Sequence, residues 1–169
     1  MKAWGFGVLA ALLFWAAAGV SVCFAEEPAL TRCSFQSAGG MRGGHLTMEI
    51  SLQPDGKAKV TLDAQDHYGD PEIRRVVEVP KEKLDELAAA FCRDELFRWA
   101  ESPKCAEDVL DADTVIVRFR YADRSEAELA DYLDMPPDAF DAVRKVHTFL
   151  RKFFKDVQLE KRASRKLCL

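Results

Sequence analysis

The sequence is poor in histidine, with three in 169 residues, and its five cysteines never stand two or three positions apart. Zinc ribbons and dithiol redox sites need such close pairs to chelate a metal or exchange a disulfide, and helical zinc sites need histidines one turn apart. His45, His67 and His147 fall on separate segments instead, as do Cys23, Cys33, Cys92, Cys105 and Cys168. No serine lies in a Gly-x-Ser-x-Gly elbow, which removes the common exposed-serine hydrolase arrangement. Four glycines do cluster at Gly39, Gly40, Gly43 and Gly44, but no Lys-Ser or Lys-Thr pair follows them. The cluster also sits between two expected strands, whereas a phosphate cradle lies between a strand and a helix N-terminus. It reads as a turn, with Arg42 at its tip a candidate contact for an anionic partner.

What is present is ordinary globular composition, with 49% hydrophobic and 31% charged residues and a formal net charge of -4. No repeat, linker or low-complexity tract calls for a second domain. The N-terminal stretch stands apart: Lys2 precedes an almost wholly apolar run from Ala3 to Ala25, and the acidic pair Glu26 and Glu27 follows. That is the pattern of a secretory signal peptide, with the small residues Cys23 and Ala25 at the positions a signal peptidase reads. The expected organisation is therefore residues 1–25 signal peptide, 26–32 linker, 33–158 one α+β domain and 159–169 basic tail. Left uncleaved, the same run is long enough to anchor the chain in a membrane. Lipidation of Cys23 is disfavoured by Val22, where a small residue is required.

Export to a secreted or periplasmic location changes how the thiols are read, because disulfides persist there. Four candidates remain, Cys33, Cys92, Cys105 and Cys168. The short loop between Cys92 and Cys105 favours that pair, leaving Cys33 and Cys168 near the two mature ends. Free buried thiols are the alternative.

Apolar alternation places a strand at His45–Gln53 and another after Pro54-Asp55-Gly56, where Ala58, Val60 and Leu62 alternate with Lys57, Lys59 and Thr61. A first strand is expected around Ser34–Ala38 and a further one at Glu72–Val79, with Ile73, Val76, Val77 and Val79 supplying β-branched content. Pro80 then opens a helix whose stripe is Leu84, Leu87, Ala88 and Phe91, and Leu96, Phe97 and Trp99 finish that element or a short second turn. Thr114–Tyr121 is the strongest strand, turned back at Ala122–Arg124 onto an edge strand at Ser125–Ala130. Pro136 and Pro137 precede a long helix, for which the stripe reads Phe140, Val143, Val146 or His147, Leu150, Phe153 or Phe154, and Val157. The expected fold is α+β, an antiparallel sheet of about five strands with two helices packed on one face.

This layout resembles small exported bacterial domains of unknown function. The residues that carry the likeness are Pro54-Asp55-Gly56, Asp111, Tyr121-Ala122-Asp123 and Pro136-Pro137-Asp138-Ala139-Phe140. The late turn departs from the pattern, with Arg124 where such domains often have glycine. The resemblance implies a fold and an exported location, with no activity attached.

Two polar clusters are candidates for chemistry. Asp108, Asp111 and Asp113 lack the glycine that a calcium loop uses for its sharp turn, and read as turn residues. Asp63, Asp66, His67 and Asp70 could hold a metal or do acid-base work. The more distinctive feature is the C-terminal end of an otherwise acidic protein, where Arg144, Lys145, Arg151, Lys152, Lys155, Lys161, Arg162, Arg165 and Lys166 meet only Asp156 and Glu160. Arg151, Lys152 and Lys155, with Arg42, are the candidate contacts for an envelope protein or an anionic surface component. Nucleic acid is disfavoured by export and by the lack of an aromatic stacking pattern beside the basic run. The functional expectation is an exported, non-catalytic binding or structural domain of the bacterial envelope, without cofactor or metal; the alternative is a secreted hydrolase or metal-dependent enzyme built on the His67 loop. Mass measurement of the exported product is expected to give a chain that starts at Glu26.

Overall fold

The computed structural model describes residues 27–39, 43–103, 114–131 and 133–157. Six strands form one antiparallel sheet: β1 (Leu30–Ala38), β2 (His45–Leu52), β3 (Ala58–Gln65), β4 (Ile73–Val79), β5 (Thr114–Tyr121) and β6 (Glu126–Ala130), in the order β4-β3-β2-β1-β5-β6. The α+β class holds, with one strand more than expected. The first segment is a full strand of nine residues that begins inside the stretch read as a linker.

β1 to β4 form a meander of consecutive hairpins. At the β2–β3 turn Gln53 and Lys57 are joined by a 2.8 Å backbone hydrogen bond and the Asp55 carboxylate accepts from the Lys57 amide at 3.0 Å. That turn fixes the register, which runs without a slip from Leu52 opposite Ala58 to His45 opposite Gln65. The glycine cluster lies between two antiparallel strands, β1 and β2, as expected, and of its members Gly39, Gly43 and Gly44 are among the described residues. Gly44 is required by contact, since a Cβ there would lie 2.4 Å from the Asp66 carbonyl oxygen. The chain then crosses over the sheet and returns as β5, which pairs with β1 on its free side, Cys33 opposite Phe119 and Phe35 opposite Val117.

Among the described residues three α-helices cover one face: α1 (Glu82–Ala88), α2 (Arg93–Ala100) and α3 (Pro137–Arg151), the last continued by a short 3-10 turn at Lys152–Phe154. The expected first helix is therefore two. Leu87 and Leu96 are nine residues apart, about two and a half turns, so one straight helix would turn them to opposite sides. Breaking the helix at Cys92, which is extended at φ -87 and ψ 121, allows both to be buried. α1 then packs on β1 and β2 while α2 packs on β6. Phe91, in the break, meets Phe119 edge-on at 5.2 Å.

α3 lies over β1, β2 and β5. Its buried stripe is Ala139, Ala142, Val143, Val146 and Leu150. Phe140 is not part of it and is 39% exposed. The two alanines let the helix backbone approach the sheet, so the phase of the stripe is set by small residues that carry little hydrophobic signal in the sequence. The core beneath the helices is formed by alternate residues of every strand, with Cys33, Phe35, Met48, Ile50, Val60, Leu62, Val117, Phe119 and Leu129 buried.

Arg93 fastens α2 to the β5–β6 hairpin. Its guanidinium stacks 5.1 Å from both the Phe97 and the Tyr121 ring centroids and reaches Asp123 at 2.8 Å. In that hairpin Arg124 has φ 68, the left-handed region that an L side chain occupies at a cost. The departure from glycine noted above is thus a departure at a position whose backbone suits glycine. Arg124→Gly is expected to raise stability by about 0.5–1 kcal/mol, the relief of strain exceeding the added chain entropy; urea unfolding of the two proteins measures it.

Candidate functional site

The two faces of the sheet have opposite chemistry. The face without helices is polar and laced with ion pairs that follow the strand register. Arg118 and Glu128 are direct cross-strand partners, as are Arg120 and Glu126. Their side chains pair at 2.7 Å in both cases, and Arg118 also donates to Gln36 at 2.7 Å. Arg32 pairs with Glu49 on the neighbouring strands. A hollow of ≈ 260 Å³ between β1 and β5 is floored by Ser34 and Gln36 and rimmed by Arg32, Arg118 and Arg120. Each of those arginines already has a carboxylate partner, which lowers the gain an anion would make by entering.

At the other end of the same face, His45, Asp63 and Glu72 come together from β2, β3 and the approach to β4. One ligand-type atom of each lies within 4.8 Å of the others, the one such trio among the described residues. Sequence reading missed it, although the Pro54-Asp55-Gly56 turn implies a register that puts His45 diagonal to Asp63. Arg74 bridges the two carboxylates, at 3.2 Å from Asp63 and 2.7 Å from Glu72, so a guanidinium already supplies their positive charge. His67 lies in the β3–β4 loop with its Nδ1 3.0 Å from Asp70. The cluster expected there divides: Asp63 faces His45 and Arg74, while His67 faces Asp70. Asp108, Asp111 and Asp113 lie outside the described residues.

On the helical side a groove of ≈ 610 Å³ lies between α1 and α3, within the usual size range of small-ligand sites. Leu87, Phe91 and Phe149 give it an apolar floor, and Arg144, Lys145 and Lys152 line its α3 side. A second hollow of ≈ 230 Å³, reaching Cys92 and Trp99, shares Phe91, Asp141 and Lys145 with it. The groove exists because α1 and α3 both rest on β1 and β2 without closing on each other. Lys152 stands 5.8 Å from the Phe149 ring centroid.

The three candidate binding residues at the C-terminal end, Arg151, Lys152 and Lys155, differ in their surroundings. Lys152 is exposed at the groove. Arg151 turns back to donate to the carbonyl oxygens of Phe154 and Val157, closing the end of the helix. Lys155 is exposed beyond the 3-10 turn, and Arg42 lies outside the described residues. The basic residues 159–169 also lie outside them.

Among the described residues no disulfide forms: Cys33 and Cys92 are both free. Cys33 is wholly buried in the sheet, and burial, aided by the nearby Glu49 charge, pushes its thiol far above the ordinary range. It is a core residue without nucleophilic character. Cys92 is exposed at the start of α2. Cys105 and Cys168, the expected partners, lie outside the described residues. Tyr121, the ring under Arg93, has its hydroxyl pushed up to about 12 by burial, against the opposing pull of Arg93.

No protein-family model matches the chain, and no curated protein matches it in sequence.

His147 packs its ring 4.8 Å from that of Phe35, and its pKa is lowered from 6.5, first by burial and then by the Arg151 charge. A depressed folded-state value means that the unfolded chain takes up the proton first. The stability that His147 confers as a neutral ring is present in full above about pH 6.5 and is lost as pH falls from there through the lower folded-state value. His147→Gln is expected to flatten the decline in urea midpoint between pH 7 and pH 5 relative to the parent protein.

Proposed function

We propose that the protein is an exported, non-catalytic binding domain of the cell envelope, and that it takes an anionic, partly apolar surface component in the groove between α1 and α3. The observation that carries the reading is the pairing of an apolar floor, Leu87, Phe91 and Phe149, with the α3-side cations Lys145 and Lys152, while Arg144 on the same side is ion-paired with Asp141 of its own helix. An amphiphile with an acidic headgroup fits that division, its apolar part covering the phenylalanines and its charge meeting Lys145 and Lys152. The export half of the proposal rests on the Lys2-to-Ala25 pattern, and the non-catalytic half on the motifs the chain lacks. The open sheet face suits this role less well, because its arginines are matched one to one by glutamates.

Co-sedimentation with phosphatidylglycerol vesicles, and with phosphatidylcholine vesicles as the neutral control, tests the reading. The expected result is binding to the anionic vesicles that fades with salt, weakened roughly fivefold or more by Lys145→Glu or Lys152→Glu, since each cation near an anionic surface contributes about 1 kcal/mol. Equal binding by parent and both variants would move the contact away from the groove, and absence of binding at low salt would overturn the proposal.

A further inference from the structure

The edge formed by β4 has the sequence to pair with a second copy of itself. β4 ends the sheet, with β3 on one side and no strand on the other among the described residues. Proteins blunt such edges by shortness, a bulge, a proline, charged side chains or a covering element; β4 has the charges, Arg74, Arg75 and Glu78, with Arg75 donating to the Arg74 carbonyl oxygen at 2.9 Å, but none of the other devices among the described residues. β6, at the far edge, is five residues long and has α2 against it. β4 is seven residues long and runs beside β3 without a bulge, from Ala58 opposite Val79 to Ala64 opposite Ile73. Its prolines, Pro71 and Pro80, stand outside it. Val76, at its midpoint, is 63% exposed on the open face, between exposed Arg74 and Glu78.

We propose that two copies join antiparallel along β4, about a two-fold axis at Val76, to make one continuous sheet. Residues directly opposite in an antiparallel pair share a face, and a one-residue slip exchanges the faces. The two helical layers therefore stay on one side only if the axis passes at a residue and not between two residues. Centred on Val76, the pairing uses the whole strand: Val76 meets the partner's Val76, Arg74 meets the partner's Glu78, Ile73 meets the partner's Val79, and Arg75 meets the partner's Val77. Centred on Arg75, it would set Arg75 against the partner's Arg75 and Glu72 against the partner's Glu78, like charges in both places. Centred on Val77, it would lose the Arg-Glu pair and set Arg74 against the partner's Pro80, which has no N–H to give.

Charge complementarity thus selects one register. Arg74 spends Nε and an Nη on Asp63 and Glu72, and a guanidinium has five N–H donors, so capacity remains for the partner's Glu78. Glu78 is itself well exposed, with its carboxylate 3.3 Å from Lys57.

Sedimentation equilibrium over roughly 1 to 500 μM, a span suited to a small interface, is expected to show a reversible dimer. Arg74→Glu should weaken it roughly tenfold or more by opposing two glutamates at both ends of the pairing, and Arg74→Glu with Glu78→Arg should restore it. Val76→Cys, oxidised with copper–phenanthroline, should give a covalent dimer, because opposite residues lie about 4.5–5.5 Å apart between Cα atoms, within disulfide reach. Glu78→Cys should cross-link no more than the parent, since the two sulfurs would sit about 13 Å apart along the strands. A monomer throughout the concentration range, equal cross-linking at 76 and 78, or failure of the charge swap to restore the dimer would each overturn the proposal. Val76→Cys changes an exposed side chain only, so its result does not depend on whether the charge variants fold well.

Discussion

The rest of the molecule depends on β1 being paired along both edges. Cys33 is held opposite Ile50 on one side and Phe119 on the other, and Phe35 beside it carries α3 through His147. The same strand presents Arg32, Ser34 and Gln36 to the open face, where they line the hollow there. One of these pairings is local, made by a hairpin. The other joins segments separated by the whole length of β2 to α2, a loop whose closure is slow and entropically costly. The sheet is not complete until that distant pairing is made, and every helix rests on the completed sheet.

How much of this was legible depends on whether a residue's role was set by its neighbours in the chain. β2, β3 and β5 alternate cleanly, and the Pro54-Asp55-Gly56 turn fixes the register between two of them, so these elements could be read directly. The start of β1 could not, because Leu30-Thr31-Arg32 has one apolar residue and its pairing with β5 carries a register shift. The break between α1 and α2 was hidden for a different reason. Leu84, Leu87 and Phe91 make a convincing stripe by themselves, and only the demand that Leu96 reach β6 forces the interruption. Phe140 was read as part of the buried stripe from its hydrophobicity and spacing, yet it lies on the outer side of α3.

The candidate site was less legible than the fold. The cations of α3 were visible as a run, but Arg151 is consumed in closing its own helix while Lys145 and Lys152 reach the groove, and nothing local separates these fates. The apolar floor joins Leu87, Phe91 and Phe149 across elements that meet only through the sheet. On the open face the sequence shows arginines and glutamates at alternate positions, but their one-to-one matching appears only once register is known. Register turns two charged strands into a neutral surface, whereas the groove keeps an uneven wall.

Cys33 has a further consequence for the history of the chain. Its sulfur is enclosed by paired strands and by the helices above them, so alkylating reagents, metal ions and oxidants reach it only while the sheet is incomplete or transiently parted. In an oxidising compartment the thiol would be exposed to disulfide exchange until β5 docks beside β1. The rate of that docking against the rate of thiol capture then governs what fraction of newly made chains keeps a reduced centre.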